Sequence, residues 1–193
     1  MSDPEWAELV DKLQLGDHVI LLYNDLAGLT PPTVRFITQG LRNNELVVAL
    51  IPVSELGMWR EVLDEALRAV GAAESTGALQ IVPLLASRLT ADTGPLDAVP
   101  LIRSMLREAK ADHRRGVRLV GRLSPALLER GFEKNAVAIE KFAAEQHFPV
   151  KVLCLYDAAS LAKVPVTVVE EIVGAHTHSI AHVAEGLYLV ESF

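Results

Sequence analysis

The chain of 193 residues has one cysteine, Cys154. No intrachain disulfide can form, and a reducing compartment, the cytoplasm, is the expected location. Positive charge is in deficit: 18 Lys and Arg stand against 25 Asp and Glu, for a net −7. Neutralising phosphates takes a basic face, so direct nucleic-acid binding is not expected. The basic run REAKADHRRGVR (107–118) reads as a solvated helix end. No stretch approaches the ~20 apolar residues of a membrane helix. The opening MSDPEWAELVDKL lacks a basic segment before an apolar core, so neither a secretory signal nor membrane attachment is expected. No Pro- or Gly-rich linker and no repeat divides the chain. One domain over 1–193 is expected, opening with an amphipathic N-terminal helix over 1–14.

What is present is apolar and periodic. Half of the residues are hydrophobic, enough for an ordinary globular core. HVILLY (18–23), LVVALI (46–51), LQIVPL (79–84), VRLVGRL (117–123) and VKVLCLY (150–156) are near-continuous apolar runs. Such runs suit strands of a parallel sheet buried on both faces. Helical patterns lie between them: 32–41 behind Thr30 as cap, 54–70 behind Ser54, 96–111, 126–146, and 166–176 behind Pro165. In 54–70, Leu56, Trp59, Val62, Leu63 and Ala66 fall on one stripe. Strand and helix alternate, so the fold class is α/β: a mostly parallel sheet with helices on both faces. The tail HSIAHVAEGLYLVESF predicts a closing hairpin or edge pair around AEG.

The segment DHVILLYNDLAGLTPPTVRF (17–36) runs from strand to helix, where many α/β proteins cradle a phosphate. A phosphate loop needs convergent backbone N–H groups, a lysine and a hydroxyl for magnesium. Here there is one glycine, Gly28, and no lysine, while Pro31 and Pro32 each remove a donor. No G-x-G-x-x-G occurs elsewhere. ATP hydrolysis is therefore not expected.

Ligands of open α/β sheets bind beyond the carboxyl ends of the strands. There the sequence offers Tyr23, Asn24 and Asp25 after the first strand, Arg122 after the fourth, and Tyr156 and Asp157 after the fifth. These six are the candidate ligand-binding residues, with Arg122 the expected counter-charge of Asp25 or Asp157. Both aspartates also suit turn or helix caps. His176, His178 and His182 form H-x-H-x-x-x-H. Tetrahedral zinc wants further ligands that no nearby motif supplies, so they read as surface or interface histidines and no metal site is expected. Cys154, amid VLCLY, reads as a buried small hydrophobe with no predictable activating histidine. Ser54, Ser87 and Ser124 lack a nucleophile elbow. No catalytic residue and no cofactor is expected.

GDHVILLYND, RFITQGLRNNELVVALIP and KVLCLYDAASL, with AHTHSIAHV after the last helix, resemble the MEDS domain, the sensory domain of methanogen and methylotroph regulators. The resemblance implies a three-layer RecA/KaiC-like core whose phosphate loop has degenerated. It implies a sensor of small organic compounds acting beside an output module. Gly121-Arg122-Leu123 departs from the glycine–glutamate–methionine pattern of many members, which implies a different ligand at that corner or the loss of one. The expected function is a non-enzymatic sensory or regulatory module binding a small organic ligand or a partner protein. It would signal in trans to a separate regulatory output protein. The alternative is a small-molecule enzyme in the same crevice, with Asp157 as base. The strand-prone LYLVESF tail and the Trp6, Leu9, Val10, Leu13 stripe lead to the expectation of a homodimer.

Overall fold

The computed structural model describes residues 4–70, 77–146 and 148–190. The first helix, α1 (Glu5–Lys12), precedes β1 (His18–Tyr23), α2 (Leu26–Arg42), β2 (Leu46–Pro52), α3 (Leu56–Val70) and β3 (Leu79–Leu84). Then come α4 (Pro95–Ala111), β4 (Val117–Gly121), α5 (Leu123–Leu128), α6 (Glu133–Gln146), β5 (Lys151–Asp157), α7 (Ala158–Leu161), α8 (Val166–Val173), β6 (His178–Val183) and β7 (Gly186–Val190). One seven-stranded sheet runs β3-β2-β4-β5-β1-β6-β7. Every pair is parallel except β6 with β7. That last pair is the hairpin expected of the tail, with Gly186 at φ +134° beside its turn.

Strand residues alternate between two layers. Val19, Leu21, Tyr23, Val120, Leu153 and Leu155 face a core shared with α1, α2 and α3, built around Phe36 and Trp59. Ile20 and Tyr156 face the opposite layer with α5, α6 and α8. Farther along that second face, Val48 and Leu50 pack on Ile102, Met105 and Ala109 of α4. Burial on both faces is why β1, β2, β4 and β5 lack polar alternation, whereas β3, at the sheet edge, leaves Ile81 exposed.

Four helix boundaries differ from the sequence expectation, each for a visible reason. α2 begins at Leu26, not Pro32, because the Asp25 carboxylate, and not Thr30, caps it by accepting from Gly28 N–H at 3.0 Å. Asn24 and Asp25 alone therefore link β1 to α2, and Pro31 and Pro32 lie inside the helix. α3 is entered through a short 3-10 turn, Val53–Glu55, and Ser54 is not its cap. The expected 126–146 helix is two helices. Gly131, at φ +78°, closes α5 by donating to Leu128 O while Phe132 N–H donates to Leu127 O. Finally, α8 stops at Val173 with Gly174 following. Within the basic 107–118 run, Arg118 is fully buried, in contrast to the expected solvated face.

Candidate functional site

The six residues expected at the strand ends are each engaged by the protein itself. Asn24 Nδ2 donates to His182 O at 2.7 Å, and Asp25 caps α2. Asp157 caps α7, accepting from Ala159 N–H at 3.1 Å and from Ser160 Oγ at 2.9 Å. Arg122 pairs with Glu55 and Glu129, in place of Asp25 or Asp157. Tyr23 is buried near Arg122, and burial pushes its hydroxyl up to about 12. Tyr156 leaves this group: its side chain points into the opposite layer. A cleft of about 560 Å³ does lie beyond β2 and β3, lined by Ser54, Glu55, Leu85, Ser87 and Glu129 among others. It holds both partners of Arg122 but none of the six.

Tyr156 leads to a buried polar cluster. Its hydroxyl donates to Glu140 Oε1 at 2.6 Å. The other carboxylate oxygen, Oε2, lies 3.1 Å from His18 Nε2, 3.6 Å from His176 Nε2 and 3.7 Å from Cys154 Sγ. His18 Nε2 is also 3.3 Å from Cys154 Sγ, and the His18 and His176 rings stack with centroids 4.0 Å apart. One ligating atom from each of His18, Glu140, Cys154 and His176 thus falls within 4.8 Å of all the others.

Separate elements deliver these four groups. His18 opens β1 and is fixed to the start of β6: its N–H donates to Thr177 Oγ1 and its carbonyl accepts from Thr177 N–H. Cys154 is mid-β5, Glu140 mid-α6, and His176 follows α8. The imidazoles are oriented from behind. His18 Nδ1 lies 3.2 Å from Ala175 O, and His176 Nδ1 lies 2.7 Å from Ile172 O. A carbonyl only accepts, so in each ring Nδ1 carries the hydrogen and Nε2 turns inward. His176 Nε2 has no hydrogen-bond partner although it is buried.

Burial pulls His176 down to about 4, against the pull of nearby Glu140, so its ring is neutral near pH 7. Burial alone would push Glu140 up. The His18 hydrogen bond, the histidine charges and the Tyr156 hydrogen bond outweigh it and hold the carboxyl at about 2. Burial, and then the Glu140 charge, push the Cys154 thiol and the Tyr156 hydroxyl well up.

The cluster forms one wall of a cavity between the sheet and helices α4 and α6, with a volume of about 80 Å³. Leu50, Leu101, Ile102, Leu119, Ile139 and Phe142 give it an apolar lining, while His18, Ser124, Glu140 and Cys154 supply a polar edge. Room for one water takes roughly 10–15 Å³, so the space admits a small organic molecule. Gly121 keeps the β4 side open and close: a Cβ there would sit 2.5 Å from Leu50 O.

These four residues share no spacing that marks them in the sequence as one site. His18 and Glu140 are not among the sequence candidates, Cys154 reads there as a buried small hydrophobe, and His176, which reads as a surface or interface residue, is buried. The H-x-H-x-x-x-H spacing was no guide, because His178 and His182 stand outside the cluster. A usable signal existed in GDH and CLYD, the short motifs carrying the family resemblance. They contain His18, Cys154 and Tyr156.

Known proteins agree with this architecture. The methanogen/methylotroph, DcmR sensory domain family (MEDS) matches residues 17–177. No curated protein matches the chain. Among solved structures, a Pyrococcus horikoshii OT3 protein superposes with a TM-score of 0.64 at 8% identity, covering 97% of this chain and 92% of its own. A KaiC-like protein from the same organism gives 0.53 at 15%, covering 97% and 96%. The flagellar accessory protein FlaH from Methanocaldococcus jannaschii gives 0.54 at 16%, covering 94% and 77%. Identities this low speak for the fold alone, and the fold is RecA/KaiC-like. The family match spans most of the chain: this protein belongs to the MEDS family of sensory domains.

Proposed function

We propose that this domain is a non-enzymatic sensor that binds a small, largely apolar organic molecule in the cavity between the sheet and helices α4 and α6. The observation carrying this reading is a concave apolar space with polar groups gathered at one edge, the usual form of a small-molecule site. His18, Ser124, Glu140 and Cys154 would meet the polar end of the ligand, and the leucine and isoleucine lining its body. Tyr156 contributes by holding Glu140. The other residues expected at the strand ends would then support the scaffold rather than the ligand. Binding would be reported to a separate regulatory output protein through the helices that close the cavity.

Nucleotide chemistry is not part of this reading. A two-residue link between β1 and α2 leaves no loop to wrap a phosphate, and the Asp25 carboxylate already occupies the α2 N-terminus. A Cβ at Gly28 would lie 2.3 Å from the His182 ring, so that side of the helix start is filled as well. The phosphate loop has, on this account, closed into a helix cap. Asp157 is likewise engaged in capping α7.

Thermal unfolding with xenon or short-chain alcohols as probes tests the proposal. Ligand at about 100 times its Kd adds ~2.7 kcal/mol. In a domain of this size, each of those kcal/mol raises Tm by about 2–4 °C. The rise should appear in the wild type, vanish in an Ala98→Trp variant whose new ring fills the cavity, and be absent with Mg-ATP. A rise with Mg-ATP alone, or equal rises in both proteins, would contradict it.

A further inference from the structure

We propose that His18, Glu140, Cys154 and His176 form a divalent transition-metal site, with zinc the best-matched ion. The donor set is two imidazole nitrogens, one thiolate and one carboxylate oxygen, all of them zinc ligands. Donors bonded to zinc at 2.0–2.3 Å in a tetrahedron lie roughly 3.3–3.6 Å from one another. Four of the six separations among these atoms, 3.1, 3.3, 3.6 and 3.7 Å, bracket that range, and the other two lie within 4.8 Å. An ion at the centre would draw the wider-spaced donors inward from separations of up to 4.8 Å.

With its Nδ1 donating to Ile172 O, the buried His176 ring turns an Nε2 lone pair toward the Glu140 carboxylate, 3.6 Å away. Acceptors facing acceptors repel, and burying His176 Nε2 without a partner is costly. A cation in their midst turns both penalties into bonds. The charges also balance, since one carboxylate and one thiolate neutralise a divalent ion while both histidines bind neutral. The surroundings have the form of an outer shell: Ala175 O and Ile172 O fix the rings, and Tyr156 fixes the carboxylate. Lying at the cavity wall, the ion would be positioned to coordinate the polar end of an organic ligand. The metal site itself stands on the cluster geometry and not on the sensory reading.

Cobalt binding decides the matter, because Cys154 is the sole cysteine of the chain. A thiolate-to-cobalt charge-transfer band can come from no other residue. The full chain, stripped with a chelator and kept reduced, should take up Co²⁺ in equimolar amount with that band and the d–d bands of a tetrahedral site. Zn²⁺ should then displace the cobalt. Cys154→Ser should lose the band. Tyr156→Phe, which touches the carboxylate without being a ligand, should keep the band and weaken binding about 10–100-fold. If Cys154→Ser does not fold, the wild-type spectrum alone remains decisive. Folded wild-type protein that binds no cobalt, or binds it without the thiolate band, would overturn the proposal. A protein that shows the band yet no thermal shift with xenon or alcohols keeps the metal site and loses the organic ligand.

Discussion

Glu45 is a buried carboxylate that answers two cations. Its Oε2 accepts from Arg118 Nε at 2.5 Å and its Oε1 from Lys151 Nζ at 2.6 Å. Arg118 also reaches Val10 O and Phe36 O and lies over the Phe36 ring, 4.9 Å from its centroid. The network ties α1 and α2 to the sheet through one guanidinium. Glu45→Gln leaves two buried positive charges facing each other and should cost about 3–5 kcal/mol in chemical denaturation. A loss within experimental error would show that water reaches the cluster. None of this was legible in the sequence, where the three residues sit far apart. They meet because β4 and β5 pair with Arg118 opposite Lys151, while β2 pairs with β4 from Leu46 opposite Val117. The same holds for the candidate site. His18 and Cys154 share a face only because the β1–β5 register sets Ile20 against Cys154. Residue chemistry was readable, but register, which brings it together, was not.

At the scale of elements the sequence was far more informative. All five apolar runs are strands and the tail is a hairpin, because strand burial, on both faces for all but the edge strand β3, and a glycine-bearing turn leave local signatures. The failures were at helix ends, where a side-chain cap at Asp25 and the left-handed Gly131 decided the outcome. The N-terminal helix illustrates both. Its stripe was legible, and Val10 and Leu13 are indeed buried. Its fastening was not: Arg35 of α2 grips Asp11 through Nε at 2.9 Å and Nη2 at 2.6 Å. The Arg35 hydrogen bond lowers the Asp11 carboxyl below its ordinary 3.8, against the opposing effect of burial. A depressed folded pKa stabilises the fold above the unfolded value and loses that effect as pH falls through the folded one. Asp11→Asn should therefore cost about 0.2–1 kcal/mol at neutral pH, the size expected of a partly exposed pair. The difference from wild type should begin to shrink as pH falls below 3.8 and vanish beneath the lowered folded value. A constant difference across that range would assign the effect to packing.

At the scale of the molecule, the sheet has a closed and an open story. α1 lies on its own domain, against α2 and β7, so its apolar stripe is covered. β7 is the last strand of the sheet, with Tyr188 half exposed. An unpaired edge offers its N–H and C=O groups to another strand. We propose homodimerisation through β7, and light scattering should give about double the 21.0 kDa of one chain. A mass near 21.0 kDa would contradict it. No helix among the described residues is long and apolar enough to cross a membrane. The sensory account rests most heavily on where a small molecule binds, and methyl NMR reads that directly. With short-chain alcohols as probes, the methyl signals of Leu50, Leu101, Ile102, Leu119 and Ile139, which line the cavity, should move together and saturate. Shifts confined to Val53, Leu84 and Leu85 at the strand-end cleft, or none at all, would contradict the account.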